Sequence, residues 1–88
     1  MRLAKITGTV TATAKNDRLV GATLLLADLV DGAGKVIAPA QVVVDTCGAG
    51  VGETVIVACG SAARMPAGLA TVPVDMAVIA IADRVSLG

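Results

Sequence analysis

The sequence contains no Phe, Tyr, Trp or His. Without aromatic rings the core lacks the side chains that bury most surface, so Val, Ile, Leu and Ala must supply it. Without histidine the usual general base for a Ser or Cys nucleophile is missing, and so is the commonest metal ligand. A surplus of one charge sign is also absent. Seven Lys and Arg balance seven Asp and Glu, and a formal net charge of +0 gives no field to attract nucleic acid or anionic lipid. A barrel that holds single-stranded nucleic acid stacks bases on aromatics inside a basic groove, and neither is available here. Long apolar runs are lacking: the longest, residues 76–82, falls far short of the about 20 residues a membrane-spanning helix takes. The opening Met-Arg-Leu-Ala-Lys-Ile-Thr has charge but not the apolar stretch of a secretory signal, so a cytoplasmic location is expected. Cys47 and Cys59 have no metal-ligand spacing and are expected as reduced thiols that assembly does not need.

What is present is a large share of small apolar side chains. The hydrophobic fraction is 56%, against roughly 45–50% in globular chains even when glycine is included. A chain of 88 residues is expected to form a single domain over residues 1–88 and buries only a modest part of its surface alone. Its apolar side chains cannot all be inside. Burial against further copies of the same chain accommodates the surplus and offsets the weak core.

Residues 2–13 alternate, with Ala4, Ile6, Gly8, Val10 and Ala12 on one face and Lys5, Thr7, Thr9, Thr11 and Thr13 on the other, which predicts a half-buried strand. A polar turn at Lys15-Asn-Asp-Arg18 precedes a second strand, Thr23–Val30, apolar enough to be covered on both faces. After the flexible connection Asp31-Gly-Ala-Gly-Lys35 comes a third strand region, residues 36–38 and 41–45, interrupted at Pro39, which cannot donate within a ladder. A fourth strand is expected at Thr54–Cys59 and a fifth at residues 77–83, both of whose faces are apolar. Between them, Ser61 is placed to cap one helical turn through Arg64, with Pro66 and Gly68 stopping its growth. Strand regions joined by glycine-rich turns predict an all-β fold, a small five-stranded OB-like closed barrel with short helical turns, since closure removes unpaired edges.

The stretch from Asp45 to Arg64 imitates a nucleotide-binding loop and fails the test. A dinucleotide fingerprint needs a third glycine three positions after the second, but Gly48 and Gly50 are followed there by Glu53, and Gly50 and Gly52 by Val55. No Lys follows the glycines, as a phosphate-binding P-loop requires. The β-branched run after the loop predicts strand, not helix. Gly48, Ala49, Gly50 and Gly52 would allow backbones to approach closely, as a subunit seam requires. A tight hairpin with no part in assembly explains the same glycines. Ser61, Cys47 and Cys59 lack a base, so no catalytic residue, cofactor or metal is expected; Asp45, Asp75 and Asp83 at strand edges accept backbone hydrogen bonds or pair with Arg64 or Arg84.

Motifs in order carry a resemblance over nearly the whole chain: Ala4-Lys-Ile-Thr-Gly-Thr-Val with Thr13-x-Lys15, Leu19-x-Gly21, Leu24-Leu-Leu26, Val44-Asp45, Gly48-Ala-Gly-Val-Gly-Glu53, Gly60-Ser-Ala-Ala-Arg64, Pro73-Val-Asp-Met-Ala77 and Ile81-Ala-Asp83. The set resembles the EutN/CcmL family of bacterial microcompartment vertex proteins. The resemblance implies a small β-barrel whose five copies close into a ring, a hexamer being the alternative closure. That ring caps the fivefold vertices of a polyhedral shell otherwise built of hexameric and trimeric tiles. It places the chain in a microcompartment shell in the cytoplasm, as a structural protein and not an enzyme. The residues it marks for the subunit interface or pore are Asp45, Gly48, Ala49, Gly50, Gly52, Glu53, Gly60, Ser61, Arg64 and Asp83. Arg64 would bridge to Glu53 or Asp45 of a neighbour, and Ala49→Glu would break the ring while sparing the monomer fold. The alternative function is an oligomeric barrel that binds a small molecule or anion at the subunit interface, through the amides of the loop from Gly48 to Glu53.

Overall fold

A computed structural model describes residues 1–13, 16–19, 21–66 and 74–87. Five strands, β1 (Arg2–Val10), β2 (Thr23–Val30), β3 (Val36–Asp45), β4 (Thr54–Cys59) and β5 (Met76–Ile81), close into a barrel in the order β1-β2-β3-β5-β4, with β4 returning to β1. All neighbours are antiparallel except β3 and β5, whose parallel contact consists of Val44 opposite Ala77 and Asp45 opposite Val78. The expected all-β, five-stranded closed barrel is therefore what forms, with only short 3-10 turns, at Asp17–Leu19 and Gly60–Arg64, among the described residues.

Alternation places the core. Ala4 and Ile6 of β1 point inward, as do Leu25, Ala27 and Leu29 of β2, Val43 of β3, Val55 and Val57 of β4 and Val78 of β5. A second cluster, Val44, Ala63 and Ala77, lies on the other face of the β3–β5 contact, where Leu19, Leu24 and Val74 pack on it. The parallel pairing is thus covered on both faces, as parallel strands usually are. Outward residues of β2, Leu24, Leu26 and Asp28, are half-buried, so the second strand is covered more fully inside than outside.

Three boundaries differ from the alternation. The first strand stops at Val10, not residue 13, after a register shift between Ile6 and Gly8. The last stops at Ile81, so Asp83 lies beyond the ladder. The third runs unbroken through Pro39, because its irregularity is absorbed by a bulge: between the pairs Ala27 with Gln41 and Leu29 with Ala38, β3 has one more residue than β2. Ala40 takes up the extra length at φ 57, and its N–H donates to Asp28 Oδ1 at 2.9 Å. The expectations at Lys15, Gly68 and Pro73 lie outside the described residues.

Alanine disfavours the left-handed region that Ala40 occupies, while glycine does not. Ala40→Gly should raise stability by about 0.5–1 kcal/mol, and Asp28→Ala should lower it by about 1 kcal/mol through loss of the cap on the bulge. Urea unfolding at matched chain concentration checks both, with opposite shifts of the midpoint and an unchanged slope.

Candidate functional site

The loop between β3 and β4 is shaped by two carboxylates. Asp45 ends β3 and spends both oxygens on the chain that follows: Oδ1 accepts from the Cys47 N–H and Oδ2 from the Ala49 N–H, each at 2.9 Å. Glu53 braces the far side, accepting from the Gly50 N–H at 2.6 Å while its own N–H donates to the Gly50 carbonyl at 3.1 Å. The loop is also tied to the barrel. Gly52 N–H donates to the Ile6 carbonyl at 2.8 Å, Ile6 N–H to the Glu53 carbonyl at 3.0 Å, and Thr46 Oγ1 to the Val78 carbonyl at 2.6 Å. Gly48 and Gly52 sit at φ 76 and 91, where a side chain is strained, and Gly50 leaves room for Glu53 Oε1, 3.3 Å from where a Cβ would stand. These glycines serve the loop's own geometry.

Two expectations change as a result. The amides of Cys47, Ala49, Gly50, Gly52 and Glu53 already donate within the chain, and two carboxylates occupy the positions an anion would take. Within the stretch from Gly48 to Glu53 the amides of Ala49, Gly50, Gly52 and Glu53 are therefore taken up by the chain itself, which counts against an anion cradle there. Ala49 is half-buried and packs against the barrel core, so a carboxylate there would have to enter apolar surroundings. Ala49→Glu would damage the fold of each subunit and cannot report on ring contacts alone. What the loop offers outward is Val51, 64% exposed between two glycines.

Gly60, Ser61 and Arg64 belong to the 3-10 turn after β4. Ser61 does not cap it: the turn begins ahead of Ser61, with Cys59 at the cap position and no side-chain cap bond. Gly60, at φ 64 and with its N–H held by the Asp75 carbonyl at 2.8 Å, reverses the chain immediately after β4 and leaves Ser61 inside the turn. Ala63 is buried against Val44 and Ala77, which fixes the turn on the outside of the β3–β5 contact and leaves Arg64 and Met65 projecting. Asp83 lies near the opposite end of β4, where the Ala82 N–H donates to the Thr54 carbonyl at 2.8 Å.

The structure brings together Asp45, Gly48, Ala49, Gly50, Gly52 and Glu53 in one loop, while Gly60, Ser61 and Arg64 belong to a separate turn whose Ala63 packs on Val44, the residue before Asp45. Beside Asp83 a cleft of about 310 Å³ separates the outer face of β1 from the segment after β5, with Leu3, Val30, Thr54 and Val85 in its lining. Sequence reasoning missed Val51, Met65 and Val42, which are 64%, 82% and 50% exposed. For Val51 and Met65 the available signal was an apolar residue between glycines or directly after a turn, where no core position exists for it; Val42, within β3, carries no such signal. Among the described residues no cluster of His, Cys, Asp or Glu could hold a metal ion, and no helix is long and apolar enough to cross a membrane.

A closed five-stranded barrel with a carboxylate-braced loop and large apolar side chains left on its outside defines a small β-barrel of the self-associating class. The chain belongs to the EutN/CcmL family: the family model described as "Ethanolamine utilisation protein EutN/carboxysome" matches residues 1–83. It is 46% identical over 91 residues to the bacterial microcompartment shell vertex protein GrpN of Rhodospirillum rubrum, covering 97% of this chain and 96% of GrpN. It is 42% identical over 87 residues to the carboxysome shell vertex protein CcmL of Synechocystis, covering 99% of this chain and 87% of that one. The solved pentameric microcompartment shell protein GrpN of Rhodospirillum rubrum superposes with a TM-score of 0.90 at 43% identity, covering 100% of both chains.

Both cysteines are free, Cys47 exposed and Cys59 half-buried against the core. Asp45→Ala, which strips two loop amides of their acceptor, should cost about 2 kcal/mol, whereas Cys47→Ser should change stability by no more than about 0.5 kcal/mol. Denaturant titration followed by circular dichroism distinguishes the two.

Proposed function

We propose that this chain, acting as one domain over residues 1–88, is a structural shell vertex protein. Copies close into a homopentamer that caps the fivefold vertices of a polyhedral microcompartment. The observation that carries the reading is the full-length agreement with a pentameric shell protein, at a TM-score of 0.90 over 100% of both chains. The surface supports it independently. Val36, Ile37, Val42, Val51 and Met65 are all more than two-fifths exposed on a barrel of aliphatic side chains, which a ring would cover. A heterologous contact whose rotation closes gives such a ring.

The role is one of shape, not chemistry, and the protein is proposed to have no catalytic function. Its partners in this reading are further copies of itself and the hexameric and trimeric tiles that surround a vertex, within a shell in the cytoplasm. Of the residues proposed for the subunit contact, the loop from Gly48 to Glu53 contributes through Val51, with Asp45, Ala49 and Glu53 holding it in place.

Val51→Asp tests the reading without disturbing the core. A carboxylate at Val51 is buried against the neighbour if the loop lies at the seam, and converges with its copies if the loop lies near the symmetry axis; in either place a charge in a partly dry contact costs more than on open surface. The expected outcome is an unchanged circular dichroism spectrum, a ring that dissociates at micromolar concentration in light scattering, and shells with open vertices in electron micrographs. A Val51→Asp protein that assembles as well as the parent at low salt removes the loop from the contact. A hexameric parent keeps the ring and counts against the vertex role.

A further inference from the structure

Apolar side chains stand out beside charges at both ends of β4. At one end the turn Gly60–Arg64 leaves Arg64 exposed and is followed by Met65, 82% exposed. At the other end lies the cleft of about 310 Å³, with Leu3, Val30 and Val85 in its walls and Asp83 among its charged residues. Val85 is itself 41% exposed. Leu87, 70% exposed, lies over Gly32, its Cδ2 2.8 Å from where a Cβ on that glycine would stand.

β4 has six residues and so spans roughly 20 Å. Met65 therefore lies too far away to fill the cleft of its own chain. A projecting side chain and a recess at opposite ends of one subunit are the two halves of a head-to-tail contact, which ring closure requires. We infer that the seam between copies is formed by Met65 seated in the cleft of the partner subunit, with the Arg64 guanidinium on the carboxylate of Asp83 of the partner subunit. This rests on the ring reading and supplies its contact.

Lys5 and Arg84 line the cleft together with Asp31 and Asp83, so its walls carry no net charge. The strength of the seam comes from removing Met65 and Val85 from water, and the pairing of Arg64 with Asp83 sets its register. Asp83 is the partner because it lines the cleft that receives Met65, whereas Asp45 and Glu53 are not in its lining and brace the loop amides instead. Asp31 is also engaged, its Oδ1 accepting from the Ala33 and Lys35 amides at 2.9 Å.

Light scattering and sedimentation on the purified parent establish the ring first. Met65→Asp, Arg64→Asp, Asp83→Arg and the exchange of both charges are then compared, with circular dichroism reporting the fold of each. All three positions are exposed and outside the strands, so the subunit fold is expected to persist. Met65→Asp should raise the dissociation constant for subunit release by roughly 30-fold or more. Each single charge reversal should weaken the ring, and the double exchange should recover at least roughly tenfold of the loss. A parent ring that Met65→Asp and the single reversals leave intact overturns the seam but not the ring. Single reversals that weaken the ring without recovery in the double exchange overturn the Arg64–Asp83 pairing. A monomeric parent overturns the ring reading, and the seam with it.

Discussion

The barrel depends on Asp45. Its backbone is half of the two-pair parallel contact that joins β3 to β5 and completes closure. Its carboxylate then holds the Cys47 and Ala49 amides and folds the glycine loop back over the barrel. Thr46, the next residue, adds a hydrogen bond to the Val78 carbonyl at the same junction. Two strand pairs are a short ladder for a closure point, and the burial of Val44 and Ala77 outside and Val43 and Val78 inside supports it from both faces. From that junction the remainder follows: Ala49 packs on the core, Glu53 braces Gly50, and Val51 is left facing outward.

The same economy of side-chain size explains why the molecule associates. A core of Ala, Val, Ile and Leu fits inside a small barrel, but it removes less surface from water than an aromatic core would. The apolar residues that do not fit are not scattered evenly. Apart from Met1, Val85 and Leu87 towards the chain's ends, they stand on the glycine loop, after the Gly60–Arg64 turn and along β3, at Val51, Met65, Val36, Ile37 and Val42. A neighbour that covers them adds the burial the subunit lacks, which ties stability to assembly.

Much of the architecture was legible in the sequence because period-two alternation is strong in β1 and the turns are marked by glycine. Thr23–Val30 and Thr54–Cys59 form as read. Strand ends were less legible, since Thr11 to Thr13 and Ala82 to Asp83 keep the alternating pattern after the ladder partners have run out. Pro39 signals an interruption, yet the bulge at Ala40 and its cap from Asp28 twelve residues earlier hold the strand together, a long-range bond that no local pattern reveals. The site was legible as a loop but not in its workings. Gly48, Gly50 and Gly52 suit a seam and a turn alike, and no sequence pattern reveals that Asp45 and Glu53 hold the loop's amides. Ser61 is a preferred capping residue, but the left-handed Gly60 starts the turn before it.

Native mass spectrometry of the unaltered chain at micromolar concentration tests most directly whether this barrel is completed by its neighbours. A dominant species at five times the 8.6 kDa chain mass, without bound small molecule, is the expected result. A stable monomer under the same conditions would contradict it.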